Sequence, residues 1–158
     1  MVAATSVSVL TQRRKSSRIF GLALQNDLVL PISVKGILGP PGHVVLLRNE
    51  RDEWEFPGGR LEPSDGTPHA CLRREIAEEL DVVADVGRPV HAWRYEPAPG
   101  RHVLVLAYLC EIVGTWPDRM WHSDEHLGVQ VFALDELAAI NLPQGYRDAL
   151  GHAGLSTG

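Results

Sequence analysis

Three glutamates are crowded into one short stretch of the chain, Arg73 to Val82, which reads RREIAEELDV. On an α-helix, the three- and four-residue spacing of Glu75, Glu78 and Glu79 would place all three carboxylates on one face. Like charges at this spacing destabilise a helix by roughly 0.2–0.5 kcal/mol per pair, and Arg74, four residues before Glu78, relieves only part of the repulsion. The pattern therefore indicates either a solvated helix face or a site for a cation.

The residues before the glutamates carry the signals of a helix start. Thr67 suits the N-cap position, and Pro68 suits the first helical position, where its missing N–H costs nothing. Leu72, Ile76 and Leu80 recur every four residues and predict an apolar stripe that faces the core. We expect the three glutamates to lie off this stripe, so that one side of the helix is buried and another side concentrates carboxylates.

Short strands and turns are predicted on both sides of this helix. Residues 33–38 and 43–50 are strand-like and are separated by the turn sequence GPPG, which predicts a β-hairpin. The other predicted elements are a short strand in WEFPGG, strands over 90–95 and 103–113 joined as a hairpin by EPAPGR, a strand over 129–133, a helical turn at LDEL and a last helix over 143–150. Because hairpins replace regular strand–helix–strand alternation, this order favours an α/β fold with a mixed sheet and helices packed on it.

Composition and charge restrict the class of protein. A chain of 158 residues with 44% hydrophobic residues fits one globular domain, and its longest apolar runs are too short to span a membrane. The net charge of −5 argues against a nucleic-acid polymer as partner. The basic cluster at residues 13–18 follows apolar residues instead of preceding them, which is the wrong order for a secretory signal. We interpret residues 1–27 as a solvated or flexible arm, and the two cysteines, Cys71 and Cys110, favour a cytoplasmic protein.

The glutamate helix and the loop before it together resemble the signature of the Nudix hydrolase family, of the MutT-like type. That signature is Gly, five residues, Glu, seven residues, and then Arg-Glu-apolar-x-Glu-Glu-x-Gly-apolar. In FPGGRLEPSDGTPHACLRREIAEELDV, Gly59 opens the pattern, and it is closed by Arg74, Glu75, Ile76, Glu78, Glu79 and Val82. VLLRNERDEWEFPGG and SDEHLGVQVFALDEL also resemble family segments, so the similarity runs from about Ser33 to Gly151. We expect the family domain over residues 28–151 and a C-terminal tail over residues 152–158.

The sequence departs from the family signature at two places. The stretch between Gly59 and Arg74 is one residue longer, so the intermediate Glu is either lost or replaced by Asp65. The closing Gly is Asp81, which is expected at the C-terminus of the helix. We predict a positive φ for Asp81, because Asp tolerates the left-handed region better than most residues.

The resemblance implies an α/β/α sandwich and a hydrolytic activity. Members of this family cleave a pyrophosphate bond in a nucleoside diphosphate linked to another moiety, by Mg²⁺-dependent attack of water on phosphorus, with Mn²⁺ as an alternative ion. A polyanionic substrate would be repelled by the glutamates unless cations intervened. The implied metal ligands are Glu75, Glu78, Glu79, the Gly58 carbonyl and, from the later loop, Glu125. The implied catalytic residues are Arg74, which orients the glutamates, with Glu78, Glu79 and Glu125.

Several assignments stay open at the level of sequence. Candidate substrate-binding residues are Arg60, Glu62, Trp93 and Tyr95, with Trp116 and Trp121 as further aromatic candidates for stacking a base. His122 and His126 flank Glu125 and are alternatives to it for proton transfer. The substrate could be a nucleoside triphosphate, a nucleotide sugar or a dinucleotide, and a homodimer is left open.

Two functions without catalysis compete with hydrolysis. A protein of this fold that binds a nucleotide as a sensor usually lacks the glutamates of the signature, and here all three are present. An acidic interaction module would not explain the Gly58–Gly59 loop. Both alternatives are therefore weaker than a hydrolase acting on a small nucleotide.

Overall fold

The structure is a computed structural model that describes residues 27–155. The fold given below is that of the unit that begins at Pro31. The arm predicted over residues 1–27 therefore lies almost entirely outside the described residues, as do residues 156–158 of the predicted tail. No helix within residues 27–155 is long and apolar enough to cross a membrane.

Strands dominate the described part of the chain. The elements in chain order are β1 (Ile32–Ile37), β2 (His43–Arg48), β3 (Trp54–Glu55), α1 (Pro68–Leu80), β4 (Ala84–Ala98), β5 (Arg101–Ile112), β6 (Gly128–Ala133) and α2 (Gln144–His152). Short 3₁₀ helices at Pro63–Asp65 and Leu134–Ala139 complete the set. The predicted helix that begins at Pro68, the helical turn at LDEL and the last helix over 143–150 are therefore confirmed, with small differences at their ends.

The strands form two three-stranded sheets with helices on both sides. In the first sheet the order is β1-β5-β4, with β1 parallel and β4 antiparallel to β5, and the second sheet is antiparallel with the order β3-β2-β6. Val45 and Leu47 of β2 belong to the apolar cluster that contains the buried residues of α1, whereas Val44 and Leu46 belong to the cluster that contains those of α2. Because neighbouring residues of a strand point to opposite faces, the two helices lie on opposite sides of β2. The expected α/β/α arrangement with a mixed sheet is confirmed.

Of the two predicted hairpins, one is confirmed and one is wrong. β4 and β5 pair antiparallel and are joined at Ala98 and Arg101, as EPAPGR predicts. β1 and β2 lie in different sheets instead of forming a hairpin. One edge of β1 pairs with β5, and the other is taken by the segment around Gly59, whose backbone bonds to Val34 and Ile32. With both edges of β1 satisfied, β2 has no edge of that strand to join.

Helix α1 begins where the sequence predicts, but its buried face is wider than expected. The Thr67 hydroxyl accepts a hydrogen bond from the Ala70 N–H at 3.1 Å, and Leu72, Ile76 and Leu80 are buried. Glu79 is buried as well, with 4% of its surface exposed, so the expectation that all three glutamates lie off the apolar stripe is wrong for this residue. Glu79 follows Leu72 by seven residues, which is two helical turns and returns the side chain to the same face.

The C-terminus of α1 confirms the predicted conformation of Asp81, whose φ of 53° and ψ of 38° are left-handed. A non-glycine residue in this region carries a cost that glycine avoids. We expect Asp81→Gly to be neutral or to raise the free energy of unfolding by up to about 1 kcal/mol, measured by chemical denaturation. The matched control is Asp85→Gly in strand β4, which should destabilise because glycine weakens a strand there. A larger loss for Asp81→Gly than for the control would contradict the strain argument.

Candidate active site

The Gly58–Gly59 loop is wedged between strand β1 and helix α1. Its backbone is tied to β1, since the Val34 N–H donates to the Gly59 carbonyl at 2.9 Å. Gly58 has a φ of 126°, and a Cβ at this position would collide with the Val34 carbonyl oxygen. A Cβ at Gly59 would collide with the Glu75 carboxylate. Only glycine at position 58 therefore allows the loop to approach the strand so closely, whereas at position 59 the contact is with the end of a flexible side chain.

Glu79 is the most buried carboxylate near this loop. Its Oε2 accepts a hydrogen bond from the Gly58 N–H at 2.6 Å, and its Oε1 lies 3.5 Å from His126 Nε2. Burial raises the pKa of Glu79 to about 7, and the attraction of Lys35 and the hydrogen bond from Gly58 oppose this rise only in part. A carboxylate that is both buried and short of positive charge is suited to hold a cation.

Arg74 links the loop before the helix to the glutamates. Its guanidinium makes two hydrogen bonds to Asp65, at 2.8 and 3.0 Å. The same group donates from Nη1 to Glu75 at 2.8 Å and to Glu78 at 3.2 Å. The hydrogen bonds from Arg74 hold the pKa of Asp65 well below its usual range. Of the two readings of the longer loop, the structure favours replacement of the family's intermediate Glu by Asp65.

The three signature glutamates differ in their surroundings. The Glu75 side chain is 14% exposed, and its pKa is raised by burial, although Arg74 opposes this. The Glu78 side chain is 60% exposed and lies outside the lining of the neighbouring cleft. Glu75 and Glu79 therefore face the cleft, while Glu78 is turned toward solvent and Arg74.

A polar cleft of about 530 Å³ adjoins the Gly-Gly loop. Glu125 lies at this cleft and is exposed, whereas the His126 side chain beside it is buried. The loop that carries them is held against α1, because the Ser123 N–H donates to the Glu79 backbone carbonyl at 3.0 Å. The full lining is Lys35, Asn49, Glu50, Arg51, Glu55, Gly58, Gly59, Arg60, Glu75, Glu79, Glu125 and His126.

Sequence reasoning missed the residues that complete this cleft, above all Lys35 and Glu55. The Lys35 ammonium donates to the Gly58 carbonyl and lies 3.4 Å from Glu55 Oε1. Burial would raise the pKa of Glu55, but the charge of Lys35 and hydrogen bonds from His126 and Asn49 outweigh it and lower the pKa to about 2. The available signal was a lysine within the otherwise uncharged strand sequence ISVKGI.

The predicted substrate-binding residues are not all at the cleft. Arg60 lines it, whereas Glu62 is exposed at the start of a 3₁₀ helix and lies outside the lining. Trp93 packs edge-to-face on Tyr146 in the second apolar cluster, with a ring-centroid distance of 5.1 Å. Tyr95 lies behind the lining residue Arg51, whose guanidinium is 6.0 Å from the tyrosine ring.

The other predicted candidates, Trp116, Trp121 and His122, lie outside the cleft lining. Trp116 packs against the first apolar cluster, and Trp121 is 52% exposed. His122 lines a separate cavity of about 510 Å³, formed by residues of the loop 118–122 and of strand β6.

The donor set at the cleft fits a divalent ion that is shared with a substrate. Within residues 27–155, no group of three or more Asp, Glu, His or Cys side chains forms a ready-made metal site. Glu75, Glu79 and Glu125 nevertheless line one cleft, and carboxylate oxygens are the ligands that Mg²⁺ prefers. Mg²⁺ is commonly held by one or two carboxylates together with substrate phosphates, so a complete protein cage is not required. The Gly58 carbonyl is taken up by Lys35 in this structure.

Comparison with known proteins decides the family. The model of the NUDIX domain matches residues 30–152. The chain belongs to the Nudix family. Nudix hydrolases act on pyrophosphate bonds of small nucleotide substrates, so this chain is of a hydrolase family. The search of curated proteins found no match.

Solved structures of other proteins share the fold. The E. coli ORF135 protein is 26% identical, with a TM-score of 0.65 over 80% of this chain and 90% of its own. A MutT NUDIX hydrolase from Burkholderia pseudomallei is 25% identical, with a TM-score of 0.63 over 79% of this chain and 98% of its own. An ADP-ribose pyrophosphatase from Streptococcus suis is 20% identical, with a TM-score of 0.59 over 80% of this chain and 90% of its own, and shows likeness of fold alone.

Proposed function

We propose that this Nudix protein is a Mg²⁺-dependent hydrolase that cleaves the pyrophosphate bond of a nucleoside diphosphate linked to another moiety. The observation that carries the proposal is the burial of Glu79 beside the Gly58–Gly59 loop, in a cleft that also receives Glu75 and Glu125. A buried carboxylate with a raised pKa does not stabilise a protein. The presence of Glu79 here therefore supports a role in binding a charged ligand.

The residues of the cleft have separate roles in this proposal. Glu75, Glu79 and Glu125 hold the metal ion. Glu78, on the solvent-exposed side of the helix, is a further ligand. A bound Mg²⁺ supplies polarisation of the phosphate and a lower pKa for the attacking water. Arg74 fixes the orientation of Glu75 through its bidentate pairing with Asp65. One carboxylate of the cleft, Glu125 or Glu79, is the group that we propose to accept the proton of the attacking water.

Two arginines at the cleft suit the substrate's phosphates. Arg60 and Arg51 both line it, and Arg51 is held in place by Glu53, at 3.0 Å, and by the Tyr95 ring. Guanidinium groups are favoured partners for phosphate oxygens because they donate hydrogen bonds in a fixed planar geometry. We propose that these arginines bind phosphate oxygens of the substrate.

A panel of substrates tests the proposed activity and identifies its class. Nucleoside triphosphates, nucleotide sugars and dinucleotides are incubated with the full chain and either Mg²⁺ or Mn²⁺, and the release of phosphate, pyrophosphate or nucleoside monophosphate is measured. Hydrolysis of one class well above the others is the expected result. Binding of a nucleotide with no product under either ion would overturn the proposal.

A nucleotide sensor that does not hydrolyse its ligand is the second candidate. One observation favours it: the Gly58 carbonyl, an implied metal ligand, is occupied by the Lys35 ammonium. The complete set of signature glutamates argues for hydrolysis instead. The two candidates differ in the panel, since a sensor binds nucleotide and releases no product.

Glu125 is expected to act in the reaction step more than in ground-state binding. Glu125→Gln should lower kcat by about 10- to 100-fold while it changes KM little, because a ligand or base used in the transition state contributes little to substrate affinity. Steady-state kinetics with the best substrate of the panel provide both constants. The matched control is Glu50→Gln, a cleft residue that is exposed and belongs to no predicted ligand set. Equal effects of the two changes on kcat would remove Glu125 from the catalytic set.

A further inference from the structure

Lys35 is a buried charge inside the proposed active site. Only 6% of its surface is exposed, although it lies on strand β1 among residues that are otherwise apolar or small. Its ammonium has two partners, the Gly58 carbonyl and the Glu55 carboxylate. A lysine is rarely buried to this degree without a paired charge, and its partners here both line the cleft. Lys35 is therefore fixed in place by the same groups that surround the site.

The charge of Lys35 lies beside the carboxylates of the cleft. Its ammonium is 3.4 Å from Glu55 Oε1 and donates to the carbonyl of Gly58, the residue whose N–H donates to Glu79 Oε2 at 2.6 Å. The charge is held on a side chain that is almost fully buried, so solvent and salt screen it weakly. Lys35 thus supplies part of the positive charge that the carboxylates need before any ion binds.

We propose that the Lys35 ammonium, by donating to the Gly58 carbonyl oxygen, takes the place of one divalent ion in the cleft. The ammonium neutralises Glu55 and leaves Glu75, Glu79 and Glu125 as the carboxylates for metal ions. The positioning of Lys35 therefore limits the number of divalent ions, or the strength of their binding, in the free protein. The proposal rests on the proposed function only in taking this cleft as the cation site.

The direction of the expected effect separates this role from a merely structural one. Removal of a fixed positive charge should strengthen the binding of a divalent cation nearby, whereas damage to the fold should weaken it. With Lys35→Met, we expect Mn²⁺ to bind the substrate-free protein at least about tenfold more tightly, because a unit charge acts strongly over a few ångströms in a partly buried site.

The test measures Mn²⁺ binding to the full chain without substrate, by titration with detection of free Mn²⁺ by electron paramagnetic resonance. The variants are Lys35→Met, Glu55→Gln and the double substitution, which removes the ion pair as a unit. The expected order of affinity is Lys35→Met tightest, wild type and double variant similar, and Glu55→Gln weakest. Arg94→Met controls for net charge, since Arg94 is exposed on β4 and lies outside the cleft lining, and it should bind Mn²⁺ as the wild type does.

The proposal can still be tested if one variant does not fold. Lys35→Met removes the cation that lies nearest to the buried Glu55 carboxylate, and this variant could fail to fold for that reason. In that case the double variant is compared with Glu55→Gln and should bind Mn²⁺ more tightly. The role of Lys35 would be overturned if a folded Lys35→Met bound Mn²⁺ no more tightly than the wild type. It would also be overturned if the double variant bound Mn²⁺ no more tightly than Glu55→Gln. Neither outcome depends on hydrolysis, so a wild type that binds Mn²⁺ and releases no product would fail the proposed function alone.

Discussion

Replacement of Glu79 by glutamine is expected to lower turnover by at least about 100-fold, because metal activation and charge stabilisation each contribute several kcal/mol to such reactions. Glutamine is nearly isosteric with glutamate and retains an oxygen that can accept the 2.6 Å hydrogen bond from the Gly58 N–H. The fold should therefore survive, and the loss should appear in kcat. The measurement is steady-state hydrolysis with Mg²⁺ and the best substrate found in the panel.

The control for Glu79→Gln is the same chemical change at an acid outside the cleft. Glu111 is exposed on strand β5, and Glu111→Gln should leave turnover as in the wild type. If Glu79→Gln behaved like Glu111→Gln, the assignment of Glu79 as a metal ligand would be wrong.

The same residue is expected to make the stability of the metal-free protein depend on pH. The pKa of Glu79 is raised by burial from its ordinary value of 4.5 to about 7, so between these values the folded state binds more protons than the unfolded state. Stability should therefore fall as pH rises through this range. At pH 8, Glu79→Gln should exceed the wild type in free energy of unfolding by up to about 3 kcal/mol, at roughly 1.4 kcal/mol per pKa unit.

This prediction is checked by chemical denaturation in the presence of a chelator. The advantage of Glu79→Gln over the wild type should be present at pH 8 and absent near pH 4.5, where the wild-type carboxyl group is largely protonated in the folded state. Glu78→Gln is the matched control, since Glu78 is largely exposed on the same helix and should retain the wild-type pH profile. An advantage that is the same at both pH values would show that charge on Glu79 does not govern it.

Local signals in the sequence predicted most of the secondary structure. Thr67 and Pro68 marked the start of α1, and the Pro99–Gly100 turn in EPAPGR marked the β4–β5 hairpin, because both depend on neighbouring residues alone. The partner of β1 was not predictable in this way. Strand β1 pairs with β5 and with the Gly-Gly loop, which are distant in the chain, and a turn sequence such as GPPG does not reveal such competition.

The candidate site shows the same division between local and distant information. The spacing of the glutamates and the glycines identified the helix and loop that border the cleft. The burial of Glu79 was missed, because the predicted apolar stripe counted only residues four apart, whereas Glu79 follows the buried Leu72 by seven residues. Lys35 of β1, Glu55 of β3 and His126 of the loop before β6 come together, and their contacts exist only in the folded chain. Trp93 was a candidate for substrate binding because it is aromatic, but its ring packs on Tyr146 of α2, a contact that residue type alone does not reveal.

The most direct test of the proposed function is hydrolysis before and after removal of divalent ions. The wild-type protein is assayed with the best substrate in Mg²⁺, then after treatment with a chelator, and again after Mg²⁺ is restored. Metal-dependent catalysis at the Glu75–Glu79 cleft predicts that product release stops on chelation and returns with Mg²⁺. Product release that continues at the same rate without divalent ions would contradict it.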